Sequence, residues 1–223
     1  MSLTRLYVDS NSIKYAVNSL QNYIIKNNYK GFICTDCFEK IYTNKSKYIP
    51  QQFNNNIVFI SADSFQQNHI KLSKLIRKDV MMKIKDVKEI VCIGGESYIY
   101  GITSNANIIH HYTNSDSIYN DMIYNNRIYR KNISNNIIDY NIINMIQDNT
   151  DTCLINLSQL NINLMKKINN NNYNSIIIIN CNSDDFWKKI KLLSRYKLVS
   201  REKYICYTMK YFITINFFQR LQI

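Results

Sequence analysis

The stretch EIVCIGGESYIYGIT, residues 89–103, decides how this chain folds. It opens on an apolar run, turns at Gly94-Gly95 and reaches Gly101 after roughly a turn of helix. The chain has four glycines, and three of them stand here. Glycine takes up positive φ freely and lets another group approach the backbone closely. A glycine-poor chain that gathers three at one strand end needs that turn. A strand, a glycine turn and a helix start together make a place for a nucleotide-like ligand. The same turn also serves to seat a helix tightly on a sheet, and these residues alone leave both readings open.

Working outward, strand and helix patterns alternate from residue 89 to the end. Apolar runs predict strands at 90–93, 108–112, 137–143, 153–157 and 176–179. Helical intervals fall at about 98–104, 115–126, 160–168 and 184–194, and the runs 197–206 and 211–218 close the chain as a hairpin. This order predicts an α/β domain with a largely parallel sheet. Before it, a helix is expected over 67–82, with Ile70, Leu72, Leu75, Ile76 and Val80 on its buried side. Short extended pieces are expected at 5–8, 31–34, 40–42 and 57–61. Ser10 or Ser12 caps a helix carrying Ile13, Val17, Leu20 and Ile24 on one face. Pro50 and the polar run 51–56 read as a loop and a boundary. Residues 1–60 are therefore a small N-terminal α/β extension, and 61–223 the main domain.

With 223 residues, 46% of them apolar, the chain can build one sizeable core. Heavy use of Asn, Ile, Lys and Tyr points to an AT-rich genome, such as that of a large DNA virus, an AT-rich parasite or an endosymbiont. Runs such as Asn169-Asn170-Asn171-Asn172 then read as loop filler. The formal net charge of +12 favours a polyanionic partner, RNA above all, with Lys188, Lys189, Lys191 and Arg195 as a basic helix. The competing reading is a lysine-rich solvated surface. Cys34 and Cys37 form one CxxC with no second pair at zinc spacing, and read as structural or incidental. No secretory signal or membrane-length apolar run is evident, so an intracellular, cytoplasmic setting is expected, including that of a virus-infected host.

The element order resembles the class I S-adenosylmethionine (SAM) methyltransferase fold, whose seven-stranded Rossmann-like sheet ends on an antiparallel strand. Within that fold the residues are most similar to the RNA uracil-5-methyltransferases. Phe65-Gln66-Gln67-Asn68 matches a motif ahead of the first strand, which implies that Gln66 holds the methionine end of SAM. Gly94 and Gly95 match the glycine turn, while Glu96 and Tyr98 replace its later glycines. Thr113 stands where the family places a carboxylate on the ribose hydroxyls, with Asp116 or Asp139 available to compensate. Asn156-Leu157-Ser158-Gln159 replaces aspartate, proline, proline, arginine, so Asn156 takes a catalytic and cofactor-side position. Asn180-Cys181-Asn182-Ser183 replaces serine, cysteine, asparagine, proline, which implies a nucleophilic Cys181. Asn216 falls where the family has its glutamate base. The resemblance implies SAM-dependent methylation of RNA, with uracil-5 chemistry as its specific form. The changed positions imply the alternative, an inactive methyltransferase-fold scaffold for RNA or a partner protein.

That chemistry needs a thiolate to add at C6 of the pyrimidine and a base to remove the C5 proton. A free thiol has a pKa of about 8.5 and needs local positive charge or a helix N-terminus to ionise. The helix near Asp184 is the expected source; otherwise Cys181 is a packed apolar residue. Of His110 and His111, on one strand, no metal set can be made. Trp187 reads as a core anchor, and the glycine stretch lacks the Lys-Ser/Thr ending of a P-loop.

Overall fold

The apolar runs at 90–93, 108–112, 153–157, 176–179, 197–206 and 211–218 become strands of a single sheet. The computed structural model describes residues 7–8, 33–36, 41–43, 48–53, 56–61, 64, 70–129, 132–137, 146, 148–157, 159–181, 184–206 and 211–222. They fall into two compact units, residues 1–65 and 66–223.

In the first unit, β1 (Tyr7–Val8) pairs parallel with β2 (Ile33–Asp36), and β2 antiparallel with β3 (Ile41–Thr43). β4 (Tyr48–Phe53) and β5 (Asn56–Ser61) form a two-stranded antiparallel ribbon. The loop expected at 51–56 is thus mostly strand, with Pro50 opposite Phe59. Each strand of such a ribbon has an outer edge that needs no N–H donor, so proline is tolerated there. The helix expected around Ile13–Ile24, and Cys37, lie outside the described residues.

The second unit holds a seven-stranded sheet. Its strands are β6 (Glu89–Ile93), β7 (Ile108–Thr113), β8 (Asn132–Ile137), β9 (Thr152–Asn156), β10 (Ser175–Cys181), β11 (Tyr196–Cys206) and β12 (Tyr211–Arg220). They lie in the order β11-β12-β10-β9-β6-β7-β8, and β12 runs antiparallel to both β10 and β11. Helices Ile70–Lys83, Ser97–Thr103, Asp116–Tyr129, Ile162–Asn170 and Asp184–Ile190 connect and cover it. This is the α/β sheet with a terminal antiparallel hairpin that the sequence predicts.

A strand that no apolar run announces lies at Asn132–Ile137, reading NISNNI; of the run expected at 137–143, all but Ile137 lies outside the described residues. Among the described residues β8 pairs only with β7, at the sheet edge. A continuous apolar run marks strands covered on both sides, and an edge strand escapes that criterion. Leu75 is also exposed at 53%, while Leu72, Ile76 and Val80, four residues apart, take the buried stripe.

Side-chain alternation gives the sheet two distinct faces. One carries Val91, Ile93, Cys153, Ile155, Ile176, Ile178 and Phe218, packed against Leu164, Met165, Ile168, Phe186 and Ile190. The other carries Cys92, His111, Leu154 and Ile177, placed side by side by the strand register.

Candidate functional site

The glycine turn sits at the carboxyl end of β6, between the ends of β7 and β9. Gly94 and Gly95 have φ of +71° and +44°, conformations that side-chain-bearing residues rarely adopt. Gly94 N–H donates to the Tyr112 carbonyl at 2.8 Å, and the Ser97 hydroxyl donates back to the Gly94 carbonyl. A Cβ on Gly94 would lie 2.2 Å from Leu157 Cδ2, and one on Gly95 would lie 2.6 Å from the Asn156 carbonyl oxygen. The end of β9 therefore presses directly on the turn. Packing against the end of β9 alone accounts for both glycines.

Three predicted residues share one face of the sheet at its carboxyl end. Thr113 ends β7, is buried, and accepts the Ser115 N–H through Oγ1 at 3.2 Å. Asn156 ends β9 at 6% exposure. Its Nδ2, 3.3 Å from where a Gly95 Cβ would lie, has no hydrogen-bond partner among the described residues. Cys181 ends β10 two residues beyond Ile179, the register partner of Asn156. Glu96 faces elsewhere: its carboxylate is fully buried and bonded through Oε1 to Arg77 Nη2 at 3.4 Å. It ties the turn to helix Ile70–Lys83, a role the sequence did not reveal because Arg77 is 19 residues away on another element. Asp116 is exposed at the start of its helix. Gln66 and Asp139 lie outside the described residues.

The expected nucleophile and base positions are not brought together. Cys181 pairs with Ile213, whereas Asn216 pairs with Ile178. Three residues of strand separate them, roughly 10 Å, and the odd spacing puts their side chains on opposite faces. Asn216 is fully buried, donating from Nδ2 to the Ile178 carbonyl and to Thr214 Oγ1. The Cys181 thiol is exposed, yet desolvation by its surroundings still pushes its pKa up, the opposite of the activation that a helix N-terminus was expected to give.

The two histidines divide. His110 Nε2 bonds Glu89 Oε1 at 2.9 Å. His111 is fully buried, edge-on to Tyr98, and neither ring nitrogen has a partner among the described residues. Burial, reinforced by the neighbouring His110, lowers its pKa to about 3. A neutral His111 is then kept in the fold while the unfolded chain takes up a proton near pH 6.5. Stability falls as pH drops from about 6.5 toward 3, by about 2 kcal/mol at pH 5. Urea titrations at pH 7 and pH 5 should show that fall, and His111→Leu should remove most of it. An equal fall in both proteins would assign acid lability to other groups.

No family model matches the chain, and no curated protein matches it in sequence. Solved structures do. The M. jannaschii tRNA m1G37 methyltransferase aligns at a TM-score of 0.70 and 12% identity, over 100% of this chain and 72% of that one. The Pyrococcus abyssi tRNA (uracil-54, C5)-methyltransferase, in complex with S-adenosyl-L-homocysteine, aligns at 0.68 and 14%, over 85% of this chain and 51% of that one. M. jannaschii TYW2 in complex with AdoMet aligns at 0.59 and 13%, over 85% and 94%. This chain thus spans about half the length of the uracil methyltransferase. The uracil-5 enzyme is one of several similar folds rather than a singular match. The sheet order, the antiparallel last strand and these likenesses agree: the chain has the class I SAM-dependent methyltransferase fold.

Proposed function

We propose that the chain binds SAM over the Gly94-Gly95 turn and directs methyl transfer to RNA. The observation that carries this reading is the buried Asn156 amide beside the turn, with Nδ2 unpartnered among the described residues. A buried donor left unpaired costs about 1–3 kcal/mol, and a polar ligand seated at the turn relieves that cost. The other residues fit the same ligand. Thr113 Oγ1 already accepts one hydrogen bond, so its own hydrogen is free to be given to a ribose oxygen. When bound, the cofactor supplies an electrophilic methyl group. Asn156 and Thr113 fix its orientation, and Gly94 and Gly95 hold the turn close against β9 beneath it. The likenesses to tRNA methyltransferases and the +12 charge support RNA as the acceptor.

For the reaction itself, the geometry favours direct transfer over the covalent uracil-5 route. The Cys181 thiol is pushed toward its protonated form, and the amide in the base position lies on the other face. RNA containing 5-fluorouridine, incubated with the protein and SAM, should give no denaturation-resistant adduct. An adduct that disappears in Cys181→Ala would restore covalent catalysis. Transfer of labelled methyl from SAM to RNA tests the activity as a whole. A specific observation favours a second reading, a scaffold without catalysis: Glu96 fills a glycine position of the turn with a buried ion pair. Cofactor binding without transfer to any RNA supports that reading.

A further inference from the structure

Across the sheet from the glycine turn, β11 and β12 build a surface that the proposed cofactor site does not use. Arg201 and Lys203 are both exposed and stand two residues apart on one face of the edge strand β11. The Arg201 guanidinium lies 4.4 Å over the Trp187 ring, and Lys203 Nζ lies 3.9 Å over the Phe212 ring. Trp187 belongs to helix Asp184–Ile190, on which Lys188 is exposed, and Lys191 just beyond is exposed as well. Glu202 between the two cations points to the opposite face, where it bonds Lys83 at 2.9 Å.

The same face continues inward with polar residues. The register places Lys203, Thr214 and Asn180 in one row, and Arg201, Asn216 and Ile178 in the next. Asn180 is 3% exposed, and its Oδ1 accepts no hydrogen bond among the described residues. A row of cations held on aromatic rings, leading to a buried acceptor without a donor, has the chemistry of a nucleotide strand: phosphates outside, base N–H groups inside. Basic side chains that track a backbone beside aromatic rings are how proteins hold single-stranded nucleic acid.

We propose that this face of β11, β12 and helix Asp184–Ile190 is a docking surface for single-stranded RNA, with Arg201 and Lys203 on phosphates. The proposal rests on the RNA reading above and adds where the strand lies. A short labelled single-stranded RNA of mixed sequence, followed by fluorescence anisotropy over a salt series, tests it. Each phosphate contact contributes about 0.7–0.9 to the slope of log K against log salt. The double variant Arg201→Gln/Lys203→Gln should bind at least about tenfold more weakly and lose between one and two units of that slope. Lys74→Gln/Lys78→Gln makes the same charge change on helix Ile70–Lys83, where both lysines are exposed, and should leave affinity within a factor of about two. Equal losses in the two double variants, or no RNA binding by the wild type, would overturn the proposal. SAM titration into the same proteins separates the sites. RNA loss with unchanged SAM binding supports this surface, and SAM binding without RNA binding removes it while leaving the cofactor reading intact.

Discussion

Gly94→Val should be among the most destabilising single substitutions in this protein. Two costs combine at this position. Valine must adopt a φ of +71°, and its Cβ must enter space held by Leu157 Cδ2 at 2.2 Å and the Asn156 carbonyl at 2.9 Å. Left-handed backbone on a β-branched residue costs about 1–3 kcal/mol, and overpacking a close contact about 1–3 more. Leu157 is a side chain and can move, but the Asn156 carbonyl is backbone in the middle of the sheet. A total loss of roughly 2–6 kcal/mol is expected, against a domain stability of about 5–15. The urea midpoint should fall accordingly with the slope unchanged, and Gly95→Val should behave alike, its Cβ meeting the Asn156 carbonyl at 2.6 Å. A midpoint within error of the wild type would mean that β9 does not press on the turn. The expected result also means that loss of SAM binding in a glycine variant reports the fold as much as the ligand.

Arg77→Met should be about as damaging. It removes the guanidinium bonded to Glu96, whose carboxylate is 0% exposed beside an arginine side chain at 11%. Removing one partner of a buried ion pair costs about 3–5 kcal/mol, because the charge left behind stays desolvated. Removing both charges restores most of that loss, so Arg77→Met/Glu96→Gln should be nearer to the wild type than Arg77→Met alone. A double-mutant cycle read by urea denaturation measures the coupling. If the single and double variants lose the same stability, the ion pair does not anchor the turn to its helix.

These two results turn on features of unequal legibility. The turn was readable because glycine is scarce and its conformational demand is local. The sheet was readable because interior strands such as 176–179 carry unbroken apolar runs. Asn132–Ile137 was missed because an edge strand does not have to be apolar on both sides, and Pro50 misled because a two-stranded ribbon tolerates it. The partner of Glu96 left no trace in the sequence, since nothing local marks Arg77 as the residue that reaches it. Thr113 and Asn156 are legible by position at strand ends, and the sheet register puts them on one face with the turn. The pairing of Cys181 with Asn216 failed for a reason of parity. Motif order along a chain says nothing about which face of a strand a residue takes, and one residue of register reverses it. Nothing local in the sequence marks Arg201 and Lys203, because their stacking on Trp187 and Phe212 exists only in three dimensions.

The central claim is that the Asn156 end of β9 and the Gly94-Gly95 turn form a SAM site. Calorimetric titration of SAM into the pure protein tests it most directly, with Asn156→Leu as the comparison. Asn156 is nearly isosteric with leucine, so this variant keeps the contact with Gly95 and loses the amide donor. Wild-type binding that S-adenosylhomocysteine competes away, weakened about tenfold or more in Asn156→Leu with a near-native urea midpoint, is the predicted result. No measurable heat at millimolar SAM, or binding that Asn156→Leu leaves unchanged, would contradict it.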